Sequence, residues 1–176
     1  MKIPPLTLGV VRDIRDQTGV DILRMNDPAV SRRLQTDMVW IGRAIAVAGG
    51  PSDLSGDALA GLAAAFFDCV VEFFPKASVL DDGDGEAGDA PKNNPWHAVF
   101  KMAGVAGLDP YPLSLRELWW AAEGAWEPHA VAIADFHTAN CVKGQKPPKP
   151  ADVNPYARSG RTVTRRMKKS QTALSK

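Results

Sequence analysis

Cysteine and histidine are scarce in this chain, with two of the first and three of the second in 176 residues. Cys69 and Cys141 lie too far apart for a Cys-x-x-Cys pair, so a zinc ribbon is excluded and one disulfide is the most the chain can form. Nothing marks it for export, and reduced thiols in a cytoplasmic protein are the expectation. Long apolar runs are missing as well. The longest uncharged one, Ala58 to Phe67, falls well short of the roughly 20 residues of a membrane-spanning helix. The opening Met1-Lys-Ile-Pro-Pro-Leu-Thr7 has no apolar stretch or small-residue cleavage site, which argues against a secretory signal. A formal net charge of +1 gives no global attraction to nucleic acid or a membrane surface. The phosphate-loop, dinucleotide-binding, zinc-protease and nucleophile-elbow motifs are all absent.

Apolar residues make up 45% of the chain, which is ordinary for a globular protein and speaks against wholesale disorder. The length fits one domain or two small ones, at roughly 100–200 residues per domain. Charge is spread unevenly. Residues 1–90 carry 8 Lys/Arg and 14 Asp/Glu, a balance of −6, while residues 91–176 carry 13 and 6, a balance of +7. One source is Asp81-Asp82-Gly-Asp84-Gly-Glu86-Ala-Gly-Asp89, which has no large apolar residue and reads as a flexible, self-repelling linker. The other is Ala157 to Lys176, with seven Lys/Arg and no acid, which reads as a disordered basic tail. The chain thus divides into a first module (1–78), an acidic linker (79–94), an aromatic-rich second module (95–156) and a basic tail (157–176).

Both modules read as helical, so the expected fold class is all-α. Thr7 can cap a helix through Val10, Val11 and Ile14 that stops at Gly19 in a left-handed position. Val20 to Leu23 fits a short extended piece. Asp27-Pro28 starts a helix, and Val30, Leu34, Met38, Ile41 and Ile45 give it one apolar stripe as far as Gly49-Gly50-Pro51. Ser55 can cap the next helix, with Leu59, Leu62, Phe66, Cys69 and Phe73 as its stripe, widened by Ala63, Phe67, Val70 and Phe74. In the second module, Trp96, Val99, Phe100 and Ala103 predict a short helix ending near Gly104 or Gly107, followed by a rigid turn at Asp109-Pro110-Tyr-Pro112. Ser114-Leu-Arg-Glu117 is a capping box. Leu115, Leu118, Trp119 and Ala122 form the stripe of a helix that breaks near Gly124, and Trp126, Ala130, Ile133, His137 and Cys141 that of a last helix.

Few residues offer chemistry. His137 and Cys141, four apart, can present two metal ligands with His129 nearby, or can simply continue the apolar stripe begun at Trp126. The acidic run has the wrong spacing for a calcium loop. The basic tail can screen phosphates, meet an acidic protein surface or only solubilise; it interleaves no aromatic, so base stacking is not expected. Trp96, Trp119, Trp120 and Trp126 fall close together, as core residues or as binding anchors.

The run Pro112-Leu-Ser-Leu-Arg-Glu-Leu-Trp-Trp-Ala-Ala-Glu-Gly124, with its lead-in Trp96-His-x-x-Phe100-Lys-x-Ala-Gly-x-x-Gly107-Leu-Asp-Pro110, resembles the C-terminal segment of the tail assembly chaperones of long-tailed phages. It continues through Trp126, Ala139-Asn140, the basic Pro-rich stretch Lys143 to Lys149, and Asn154-Pro155-Tyr156. Leu6-Thr-Leu-Gly-x-x-Arg12-x-Ile14 with Thr18-Gly-x-Asp21-Ile-Leu is similar to the family's opening. The resemblance implies a non-enzymatic protein without cofactors, cytoplasmic in the bacterial host and left out of the mature virion. Such chaperones coat the tape-measure protein, and their second segment, which many phages add by a ribosomal frameshift, is thought to recruit tail-tube subunits. A slippery run would fall at Pro91-Lys-Asn-Asn94. Phe66, Phe67, Phe73 and Phe74 are the candidate tape-measure face; Arg116, Trp119, Trp120 and Glu123 are the candidate face for the major tail-tube protein. Self-association is possible, and no membrane partner is expected. The alternatives are a small nucleic-acid-associated protein acting through the basic tail and a metal-dependent enzyme around His129, His137 and Cys141.

Overall fold

Backbone N–H groups in the first turn of a helix have no partner inside it and must find an oxygen elsewhere. The computed structural model, which describes residues 3–52, 56–75, 94–142 and 144–157, accounts for these groups in helix α1 (Leu8–Thr18). The Leu8 and Gly9 N–H groups donate to the carbonyls of Leu113 (2.8 Å) and Tyr111 (2.9 Å). Val10 N–H donates to Thr7 Oγ1 at 3.4 Å, and Val11 N–H to the Thr7 carbonyl at 2.9 Å. The helix ends, as the sequence predicts, on Gly19 at φ 74°.

All regular structure among the described residues is helical. Two expectations in the first module are corrected. Ile22–Arg24 is a 3-10 turn and not an extended piece, because Asp21 accepts the Leu23 N–H at 3.1 Å and coils the backbone. The helix expected from Pro28 to Gly49 is two helices, α2 (Pro28–Thr36) and α3 (Met38–Val47). Asp37 makes the break. Its backbone is non-helical (φ −91°, ψ 85°), and its carboxylate takes the Trp40 N–H at 2.9 Å, capping α3. Leu34, Ile41 and Ile45 stay buried, while Met38 turns outward.

Helix α4 (Gly56–Phe73) follows; its expected cap, Ser55, lies outside the described residues. Leu62, Ala63, Phe66, Val70 and Phe73 form its buried stripe, and Phe66 meets Trp40 of α3 edge-on at 6.3 Å. Residues 79–93 of the acidic linker and 158–176 of the basic tail also lie outside the described residues.

Helix α5 (Pro95–Ala106) starts on Asn94, which caps the Trp96 N–H, and ends on Gly107 at φ 67°. Helix α6 (Leu115–Ala139) opens on the expected capping box: Ser114 N–H and Oγ–H donate to Glu117 Oε2, both at 2.8 Å, and Glu117 N–H donates back to Ser114 Oγ at 3.2 Å. These bonds hold the Glu117 carboxyl below its ordinary pKa, so the box persists until pH falls through that lowered value. The break expected near Gly124 does not occur. Pro128 removes one intrahelical bond, to the Gly124 carbonyl, and α6 runs through it. Its buried side is Leu115, Leu118, Trp119, Ala122, Ala130 and Ala134; Ile133 and His137, expected on the stripe, are exposed.

The chain forms two compact units, one up to Leu118 and one from Trp119, which divide inside α6. The first unit joins α5 to the 3-10 turn through Trp96, whose indole N–H donates to Asp21 Oδ2 at 3.0 Å. The second closes on Asn154-Pro155-Tyr156, behind the short helix α7 (Pro150–Val153). Buried Asn154 donates to the Glu123 carbonyl (3.2 Å) and accepts the Tyr156 N–H (3.0 Å), and Trp119 Nε1–H donates to the Tyr156 carbonyl at 2.9 Å.

Two glycines separate helix propensity from packing. A Cβ on Gly9 would stand 3.1 Å from the Tyr111 carbonyl, an oxygen already fixed by the Gly9 N–H, whereas a Cβ on Gly104 would meet nothing within 4 Å. Replacing a helical Gly by Ala ordinarily gains about 0.5–1 kcal/mol. In urea unfolding, Gly104→Ala should gain that amount and Gly9→Ala should lower stability.

Candidate protein-docking surfaces

The outward side of α4 is apolar but small. Ala60 and Ala64 are exposed, Phe67 is half-buried and Val71 is 67% exposed. Their spacing of 4, 3 and 4 residues is that of a seam to which a second helix can pack along its length. A Cβ at Gly61, beside this seam, would meet nothing within 4 Å. Asp68 and Glu72 line its edge, and α4 contains no Lys, Arg or His.

This placement divides the four phenylalanines singled out as the tape-measure face. Phe66 and Phe73 are spent in the protein's own core, at 0% and 1% exposure, while Phe67 and Phe74 are half-buried at its margin. Sequence reasoning followed the large apolar residues and missed Ala60, Ala64 and Val71. The available signal was that α4 is apolar on both sides and carries acids alone.

The second candidate set is divided more sharply. Arg116 turns to α4. Its guanidinium donates to the Phe74 carbonyl at 3.0 and 2.9 Å and to the Val71 carbonyl at 3.1 Å. The last turn of α4 has no basic residue of its own, so Arg116 supplies the cation that the negative end of a helix favours. Trp119 is buried, its ring edge-on to Tyr156 at 5.4 Å. Glu123 is half-buried, and its carbonyl accepts from Asn154. Trp120 stands out at 49% exposure, with Val131 exposed three turns further on.

A third surface was not foreseen as a unit. On α5, Phe100 is 49% exposed and its ring lies 6.3 Å from Trp96 and 6.4 Å from Tyr111. Two guanidinium groups of α1 cover the outer rings: Arg12 stands 4.5 Å over Tyr111 and Arg15 stands 4.9 Å over Trp96. A cleft of about 510 Å³ adjoins Trp96, lined also by Arg15, Asp21, Arg24, Asp27, Val30 and Asn94. Both acids are engaged within it, Asp21 by Leu23 and Trp96 and Asp27 by the Ala29 N–H.

For metal chemistry, His129 and His137 are exposed on α6, and Cys141 lies past the helix end with its Sγ 3.3 Å from the Gln145 carbonyl. Among the described residues no group of three or more His, Cys, Asp or Glu is placed to hold a metal ion. No helix among them is long and apolar enough to cross a membrane.

The role of Arg116 can be measured. Hydrogen bonds to a charged group contribute about 1.5–3 kcal/mol, and two of these three are partly buried. Arg116→Ala should lower unfolding stability by about 1–2 kcal/mol. Arg116→Lys should recover only part, because an ammonium cannot span both carbonyls as the planar fork does. Comparison of the chain with protein-family models, with curated proteins and with solved structures found no match.

Proposed function

We propose that the chain is a tail assembly chaperone of a phage or prophage, working in the bacterial cytoplasm without catalysis or cofactor. It would bind the long helical tape-measure protein and recruit subunits of the major tail-tube protein while the tail is built. The observation that carries this reading is the outer seam of α4. Ala60, Ala64, Phe67 and Val71 offer a partner helix a shallow apolar track at coiled-coil spacing. Small side chains let two helix backbones approach closely, which suits a client rich in apolar helix. The sequence resemblance supports the same reading from the other end of the chain. Trp120 is the anchor left for the tube subunit, since an exposed indole is the side chain most enriched where binding energy concentrates.

Co-expression with the tape-measure protein tests this directly. The chain should keep that protein in the soluble fraction, and Ala64→Glu or Val71→Glu should remove the protection without changing the chain's own helical melt. Unaltered client solubility with and without the chain would reject the reading. Trp120→Ala should abolish capture of the tube protein while leaving client protection intact.

A further inference from the structure

The faces of α4 and α5 that point to solvent in the first unit are opposite in charge and complementary in size. The outer face of α4 combines small apolar residues with Asp68 and Glu72, one turn apart, and the helix has no basic residue. The outer face of α5 combines the large Phe100 with His97 and Lys101, also one turn apart, and that helix has no acid. All four ionisable side chains are exposed, and none joins an ion pair among the described residues.

We infer that α5 of one copy docks antiparallel on the outer face of α4 of a second copy. A single register satisfies both sets of groups. With Asp68 opposite Lys101, Glu72 comes opposite His97. Phe100 then lies beside Val71 and Phe67, and Gly104 beside Ala65. A parallel approach that pairs the same charges carries Gly104 past the end of α4 and leaves Ala64 uncovered. The two docking faces are different surfaces of the same unit, so the contact is head to tail. An open assembly of any length still offers one of each face, so it grows as a chain or closes as a ring. If α4 is the client track, as proposed above, self-docking and client binding use the same surface and exclude each other.

Analytical ultracentrifugation of the full chain tests the self-docking, with circular dichroism as the folding control. The wild-type chain should grow beyond a dimer as its concentration rises. Lys101→Glu spoils the α5 face by charge and Ala64→Trp spoils the α4 face by bulk; each variant alone should remain monomeric. Mixed in equal amounts, they retain one good α4 face and one good α5 face, and should form a dimer that grows no further. A wild-type chain that stays monomeric, or a mixture that forms no dimer, overturns the inference. If the assemblies form as described but a purified tape-measure fragment fails to disperse them, the client reading of α4 falls and the self-docking stands.

Discussion

Burying an indole removes a large apolar area from water but also strands an N–H donor, and the donor must be matched. Three tryptophans of this chain are buried, and each is matched at a distance in sequence. Trp40 donates to Thr18 Oγ1 at 2.8 Å, Trp96 to Asp21 and Trp119 to the Tyr156 carbonyl. The rings supply the bulk of a small core and the N–H groups fix what it packs against. Thr18 shows how economical the arrangement is: its hydroxyl donates to the Ile14 carbonyl at 2.6 Å while accepting from Trp40. The end of α1, the start of α3 and the entry to α5 are all placed by these bonds.

With the large side chains committed inward, what remains outside is graded by size. The outer face of α4 is shallow, with Ala60, Gly61 and Ala64 along it and Val71 towards its end, whereas Phe100 and Trp120 stand out from α5 and α6. A shallow track and a protruding ring suit different kinds of contact, the one along a helix and the other into a pocket. A chain that must hold one protein while recruiting another needs both kinds of surface, and the proposed chaperone role draws on each.

Much of this could be read from sequence, because helix ends are local. Thr7, Asn94, the Ser114–Glu117 box, Gly19 and Gly107 act within three or four residues of themselves, and all of them behave as their residue types predict. Asp37 was missed because an acid one position before an apolar stripe residue looks like the solvent side of one long helix. Its carboxylate instead turns back on the backbone and starts a new one. The site was harder to read, because size and hydrophobicity do not reveal which side of an all-apolar helix faces the core. Phe66 and Phe73 looked like a binding face and are core; Arg116 looked like a binding residue and is the distant cap of α4. Partners 42 positions away leave no periodic mark.

The oxygens that receive the Leu8 and Gly9 amides come from residues beyond the acidic stretch, and so do the indole held by Asp21 and the guanidinium that closes α4. A protease that severed the chain between Pro75 and Asn94 would therefore release no separate halves. The severed pieces would remain clasped, because neither contains the whole of the first unit.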